Sequence, residues 1–302
     1  MGHRTVAETI REITRVHLTE NGGLLLGQSI SAVGWVNNTV PNVENIIELP
    51  MTEQGGSGFA VGAAMVGKRP ILVLRFQDFL LLNGSSLLNY AAKSKELHGR
   101  STPVFVRALA SEGLGPVHSG VFHSLCMHYP GFRVWAPITP GEYQDCWRDY
   151  MEHDDPMLAS EHKASLQNRE ELPDRVLQWG GITLFAISSP RFALQEAADR
   201  LTESGIRCHL VHLAQLKPFV ITERMLQPLQ NSRLGLVIDA GYEICGASRS
   251  LAYELSVASG HPVRALGLMD KTKCLCPPLQ NAAPDAARIC ETVKQILRDV
   301  KG

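Results

Sequence analysis

The chain has 302 residues, 44% hydrophobic and 20% charged, with 29 basic against 30 acidic side chains and a formal net charge of −1. That composition can bury a full core, and it lacks the basic excess that nucleic acid or an anionic membrane would call for. Seven scattered cysteines in a chain this long do not read as a disulfide framework and point to a reducing, cytoplasmic setting.

The opening stretch "MGHRTVAETIREITRVHLTENGG" is polar and amphipathic and reads as no signal peptide. No apolar run approaches the ~18 residues of a membrane span. Val6, Ile10, Ile13 and Val16 recur at helical spacing behind a Thr and an acidic first turn. "GGLLLGQSI" reads as a short buried strand. A strand ending at "IIELP", a glycine turn, a helix over "GFAVGAAMVG" and a strand "RPILVLRF" follow. "LLLNGSSLLNYAAKSKELHG" is helical, "TPVFVRAL" a strand, "VFHSLCMHYPG" a short helix. "FRVWAPIT", "PGEYQDCWRDYMEHD" and "PMLASEH" repeat strand, helix, strand. Short apolar strands alternating with helices predict an α/β fold with a parallel sheet covered on both faces.

Between 163 and 180 the chain turns polar, with a proline and a glycine pair, and reads as a linker. A second alternating set of strands and helices follows, ending in the helix "DAARICETVKQILRDV". The expected organisation is two α/β units, 1–175 and 176–302.

"MTEQGGSGFAVG" sets Glu53 directly before a glycine cluster in which Gly56, Gly58 and Gly62 stand as G-x-G-x-x-x-G. That is one residue off the dinucleotide fingerprint, itself a weak signal alone. A diphosphate needs free backbone N–H groups at the positive end of a helix, and Glu53 would put a negative charge there. Two readings stay open from the residues. Glu53 complements the helix start while the glycines allow close packing, or it is a buried carboxylate held for a neutral or basic heterocycle.

"GPVHSGVFHSLCMHYPG" carries His118, His123 and His128 at five-residue intervals. On a helix that spacing places successive side chains about 140° apart, which argues against a shared zinc face. His118 sits in a loop ahead of a helix, where catalytic groups often lie, and His is the natural proton carrier near neutral pH. His128 reads as structural. Cys274 and Cys276 have no second ligand pair nearby, so no metal site is expected. The carboxylates of "EHDDP" read as a solvated helix end, and no G-x-S-x-G elbow occurs.

Together, "MTEQGGSGFAVGAAMVGKRPILVLRFQDF", "GPVHSG", "YPGFRVWAPITPGEYQD" and "HDDPMLASEHK" resemble the beta subunit of the thiamine-diphosphate-dependent first component of 2-oxo-acid dehydrogenase complexes. The C-terminal half of transketolases is a close relative. The likeness is strong over 50–163 and looser beyond, where "LGLVIDAG" and "GASRSLAYEL" occupy the family's usual places. It implies a pyrimidine-binding domain followed by a transketolase C-terminal-type domain.

By this resemblance Glu53 holds the position of the acid that hydrogen-bonds a ring nitrogen of the thiamine aminopyrimidine and activates the cofactor. Phe79 is the aromatic that stacks on that ring, and Gly55 and Gly56 join the cofactor-binding set. His118 lies at the substrate side and handles protons. The family's diphosphate motif, G-D-G followed by an Asn, holds magnesium, and no "GDG" occurs in this chain. The resemblance therefore implies an alpha-type partner that supplies G-D-G and the magnesium, with thiamine diphosphate shared between subunits of an α2β2 assembly.

Ser85-Ser86 and His123 depart from the family pattern and are expected near the substrate mouth or the subunit contact. The leading expectation is decarboxylation of a 2-oxo acid with transfer of the acyl or aldehyde unit. The alternatives are the C-terminal subunit of a split transketolase, with His98, Arg100 and His123 as candidate phosphate contacts, and a non-catalytic assembly subunit.

Overall fold

The computed structural model describes residues 4–112, 117–272 and 281–301. The chain divides into two units between Glu171 and Leu172, against the 175 expected from linker composition.

The N-terminal unit opens with α1 (Val6–Glu20), started by a capping box. The Thr5 side chain accepts from the Glu8 N–H, and Glu8 accepts from the Thr5 N–H. The order then runs β1 (Leu24–Gln28), α2 (Ala32–Asn38), β2 (Ile46–Leu49), α3 (Glu53–Met65) and β3 (Pro70–Leu74). A short 3₁₀ turn at Gln77–Phe79 leads into α4 (Leu80–Gly84), and π-helical Ser85–Ala91 joins α4 to α5 (Ala92–His98). The single helix expected here is thus helical throughout but irregular at its centre. β4 (Phe105–Ala110), α6 (His123–His128), β5 (Arg133–Trp135), α7 (Pro140–Glu152) and β6 (Met157–His162) complete the unit.

Its six strands lie in the order β2-β1-β3-β4-β6-β5, and the pairings are parallel. β3, β4 and β6 are buried at every position, as expected of central strands in a sheet covered on both faces. α1 and α7 close one face over Leu25, Ile71, Phe105 and Met157. α3 carries the chain from β2 across β1 to β3, so the strand order reverses beside β1. Such a reversal opens a crevice at the carboxyl ends of the strands.

The sequence reading assigned nothing to α2, and its backbone is unusual. Val33, Gly34, Trp35, Val36 and Asn37 have φ between 52° and 58°, a left-handed turn. L-residues there cost roughly 1–2 kcal/mol each. The turn is pinned from within. Val36 and Val40 are in the core, and the Arg107 Nη2 donates to Thr39 Oγ1 at 2.7 Å. Arg107 also makes a two-pronged pair with Glu161 at 2.7 and 3.0 Å, and the Tyr143 hydroxyl donates to Glu161 at 2.6 Å. Burial opposes the Arg107 charge, but Glu161 and Tyr143 more than offset it and hold the guanidinium charged.

In the C-terminal unit β7 (Ile182–Ile187), α8 (Pro190–Glu203), β8 (Cys208–Leu213), the short β9 (Gln215–Lys217), α9 (Glu223–Ser232), β10 (Gly235–Tyr242), α10 (Ala247–Ser259), β11 (Val263–Leu268) and α11 (Ala286–Lys301) follow in turn. Four strands form a parallel sheet, β11-β10-β7-β8. α8 and α11 pack together over it through Leu194, Ala198, Ile289 and Val293. The five described cysteines are free, while Cys274 and Cys276 lie outside the described residues.

His17 gives the N-terminal unit a pH-dependent stability. Its ring is buried, edge-on to Trp147 at 4.9 Å, with Nε2 2.7 Å from the Arg69 carbonyl, to which it donates. Burial lowers its pKa below the ordinary 6.5. The unfolded chain then takes up a proton that the folded chain refuses, so the stability is complete above about pH 6.5 and falls as pH drops. The urea midpoint should fall between pH 7.5 and pH 5.5, and His17→Gln, which keeps a donor for the carbonyl, should flatten part of that dependence.

Candidate active site

β1 and β3 end side by side, and a cavity of about 120 Å³ opens beyond them, lined by Gly27, Gln28, Leu49, Met51, Glu53, Gly56, Leu72, Arg75, Phe76 and Phe79, among others. That is roughly ten times the space a single water needs. Its walls are apolar except at a few points, as is usual for a small-molecule site.

Glu53 is the first residue of α3. The backbone N–H groups of Thr52 and Glu53 both donate to the Gln28 side-chain oxygen at 2.9 Å, in the amide orientation its surroundings require. Thr52 makes no side-chain cap. Gln28 therefore caps the helix from the end of β1, and two of the four N–H groups a helix start leaves open are engaged inside the chain. The Glu53 carboxylate faces the cavity, and among the described residues it has no hydrogen-bond or ion-pair partner.

The glycines divide by role. A Cβ on Gly56 would lie 2.7 Å from Leu49 Cδ1, so this position sets the closeness of α3 to β2, and Gly56 lines the cavity. A Cβ on Gly55 would meet Thr52 Oγ1 at 2.5 Å, and Gly55 is not in the cavity wall. Gly62 faces open space.

The 3₁₀ turn after β3 supplies the opposite wall. Gln77 is buried and anchors it. Its amide donates to the Ala108 carbonyl at 3.1 Å and to Ser160 Oγ at 2.6 Å, and its oxygen accepts from the Phe122 N–H at 2.7 Å. Phe76 and Phe79 both reach the cavity, their ring centroids 5.9 Å apart. Asn83 helps hold Phe79 by donating to its carbonyl at 2.9 Å. The Arg75 guanidinium lies 5.6 Å from the centre of the Phe76 ring.

His118 stands behind this wall. Its ring stacks on Phe76 at 4.3 Å with 14° between planes and touches Phe79 at 5.4 Å. Its Nδ1 is 3.1 Å from Asp78 Oδ2. The segment is tied to the end of β4, because Ser111 Oγ donates to the His118 carbonyl and the Gly120 N–H donates to the Ser111 carbonyl. The structure thus brings Glu53, Phe79, Gly56 and, through the aromatic wall, His118 together.

One expectation is corrected. His123 is not at a mouth or a subunit contact: it is fully buried, with Nδ1 3.2 Å from Ser160 Oγ. Ser86 packs against α3, with Oγ 3.4 Å from the Gln54 carbonyl, while Ser85 is exposed. Sequence reasoning missed Gln28, Arg75 and Asp78. Asp78 stood inside the quoted "FQDF", and Gln28 follows the apolar run of β1, where a polar residue at a strand's carboxyl end is a general signal. Among the described residues no cluster of three or more His, Cys, Asp or Glu could hold a metal ion.

The model of the transketolase pyrimidine binding domain matches residues 26–168. That match covers most of the N-terminal unit. The beta subunit of acetoin:2,6-dichlorophenolindophenol oxidoreductase from Cupriavidus necator is 26% identical over 250 residues, 78% of this chain and 72% of that one. The pyruvate dehydrogenase E1 component subunit beta of Ascaris suum is 27% identical, over 83% of this chain and 76% of that one. The 2-oxoisovalerate dehydrogenase subunit beta of Bacillus subtilis is 30% identical, over 64% and 66%.

Both units share their fold with transketolases. A split-gene transketolase, described as an inactive beta4 tetramer, superposes with a TM-score of 0.76 at 19% identity, over 97% of this chain and 98% of that one. The transketolase of Campylobacter jejuni gives 0.75 at 16% identity, and there this chain spans 47% of the length.

The cap at the head of α3 makes a direct prediction. Gln28→Met keeps the volume and removes the acceptor from two N–H groups. Stability in urea should fall by about 0.5–2 kcal/mol, as for other lost helix caps.

Proposed function

We propose that this chain is the beta-type subunit of a two-chain thiamine-diphosphate enzyme that decarboxylates a 2-oxo acid and transfers the resulting acyl or aldehyde unit. One observation carries the reading. Glu53 presents a carboxylate without a protein partner to a mostly apolar cavity whose other wall is the Phe79 ring. A flat heterocycle with a basic ring nitrogen suits that cavity: the ring lies against an aromatic face and the nitrogen meets the carboxylate.

When bound, thiamine diphosphate supplies a carbon nucleophile and an electron sink at its thiazolium ring. The residues of this chain do the rest. Glu53 holds a proton at the pyrimidine nitrogen. Phe79, with Leu49 and Leu72, keeps water from the ring and fixes its plane. His118, behind Phe76 and Phe79, exchanges a proton with the substrate oxygen. The head of α3 is a poor seat for the diphosphate, since Gln28 takes two of its N–H groups and Glu53 adds a negative charge there. We assign the diphosphate and its magnesium to an alpha-type partner bearing G-D-G, in an α2β2 assembly.

The rim of the cavity supports a partner. Met51 lines it and is 85% exposed, and Phe59, Leu81 and Leu82 are exposed on α3 and α4. Large apolar side chains exposed on the helices that flank the cavity fit coverage by another surface.

Ketol transfer between sugars is the second reading, favoured by the coverage of the split-gene transketolase. Of its candidate phosphate contacts His123 is withdrawn by burial, and His98 and Arg100 remain exposed.

Two measurements test the proposal. Calorimetry with thiamine diphosphate and magnesium should show tight binding only when the chain is mixed with its alpha-type partner. Glu53→Gln should lower turnover of that complex by on the order of 10²-fold or more, and turnover within threefold of the parent would remove Glu53 from the chemistry. Gly62→Leu fills space that is open in this chain. It should leave the chain folded and abolish its co-elution with the partner, and undisturbed assembly would move the contact off α3.

A further inference from the structure

Asp78 has no role in the reading above, and its geometry gives it one. It lies between two fixed residues, Gln77 with its three buried hydrogen bonds and Phe79 in the cavity wall. Its backbone is therefore held. The one hydrogen bond of its side chain among the described residues goes to His118, at 3.1 Å from Oδ2 to Nδ1. The Asp78 side chain is 15% exposed and that of His118 is 39% exposed, so the pair is partly dehydrated while the imidazole keeps an open edge.

An imidazole on a loop has two torsions to fix and two flipped orientations to choose between. The Phe76 face, 4.3 Å away at 14°, fixes the plane of the His118 ring. The hydrogen bond to Asp78 fixes which way round it lies, because only one of the two flips turns a ring nitrogen toward that carboxylate. Ser111 holds the backbone by accepting from Gly120 N–H and donating to the His118 carbonyl. The ring platform and the carboxylate both come from the turn that also builds the cavity wall.

We propose that Asp78 is the positioning residue of His118: its carboxylate takes the Nδ1–H and leaves Nε2 as the atom that exchanges a proton with substrate. An ionised carboxylate can only accept, so Nδ1 carries hydrogen whether the ring is neutral or charged. The neutral ring then offers a lone pair at Nε2, and the charged ring offers a proton at the same atom. The proton moves between Nε2 and the substrate oxygen, and Asp78 gains none. The same logic governs the carboxylate behind the histidine of serine proteases. The proposal rests on the assignment of His118 to proton exchange with substrate.

Charge and tautomer separate this role from a simple loop anchor. Asp78→Asn is isosteric and still hydrogen-bonds, but its amide can donate to Nδ1 and so admits the Nε2–H tautomer. With ¹⁵N-histidine labelling, two-bond proton–nitrogen couplings of neutral His118 should show the Nδ1–H form in the parent chain. Asp78→Asn should populate the Nε2–H form substantially, and the His118→Gln spectrum identifies the signal. In the complex with the alpha-type partner, Asp78→Asn should lower kcat by on the order of 10²-fold with KM changed less than about threefold. Placed in the His118→Gln background it should lower kcat no further.

An unchanged Nδ1–H tautomer in Asp78→Asn overturns the proposal. So does a multiplicative loss in the double variant, or a loss of thermal stability with kcat intact. The tautomer measurement needs only the folded chain. A complex inactive toward every 2-oxo acid would therefore sink the functional reading and leave this test standing.

Discussion

The amide oxygen of Gln28 decides what the head of α3 can bind. Two backbone N–H groups that would otherwise point outward end on that oxygen, 2.9 Å away. With two of its four donors satisfied from within, the helix start is a weakened seat for a phosphate. The carboxylate of Glu53, on the same turn, would repel one in any case. The pattern that resembles a dinucleotide loop thus suits something neutral or basic, and on the proposed reading the anionic half of a cofactor is held elsewhere. From this one cap follow the character of the cavity and the proposal of a second chain.

The opposite wall depends on a single buried side chain in a similar way. Gln77 uses its amide on three groups: the Ala108 carbonyl within β4, Ser160 within β6 and the N–H of the residue before α6. Burying an amide costs free energy unless it is hydrogen-bonded, and here both its oxygen and its nitrogen are. The turn it anchors then presents Phe76, Asp78 and Phe79 in different directions: a platform for an imidazole, a carboxylate for its Nδ1, and a ring at the cavity. The three positions cannot move independently, which suits a site that must hold a ring and a proton carrier in register.

Much of this was legible in the sequence. The alternation of short apolar runs and helices gave the two parallel units, because buried parallel strands read as continuous apolar stretches. Glu53 and Phe79 were legible as motif residues, and His118 as a loop histidine ahead of a helix. What stayed hidden was whatever depends on approach through space. Gln28 is 25 residues from Glu53 in the chain, and only the side-by-side ends of β1 and β2 bring them together. Asp78 and His118 are 40 residues apart. His123 looked like a surface substitution because nothing local shows that α6 turns it onto Ser160. The left-handed turn of α2 runs against local preference, with valines and a tryptophan at positive φ. It persists through Arg107, Thr39 and the core contacts of Val36, none of which a local pattern displays.

The glycines of α3 carry the argument from fold to assembly. Gly55 and Gly56 have neighbours inside the chain, since a Cβ there would press on the Thr52 hydroxyl and a Leu49 methyl. Gly58 and Gly62 have none: a Cβ on the first would make an ordinary contact with Ser86 at 3.5 Å, and on the second it would meet nothing. In a helix each costs roughly 0.5–1 kcal/mol relative to alanine. An isolated chain would gain by replacing both. On the proposed reading the cost is offset outside the chain, where a bare backbone lets a partner's helix or loop come close beside the exposed Phe59 and Met51. The same surface that weakens the free subunit then closes the mouth of the cavity in the assembled one, so completion of the site and burial of the apolar rim become a single event.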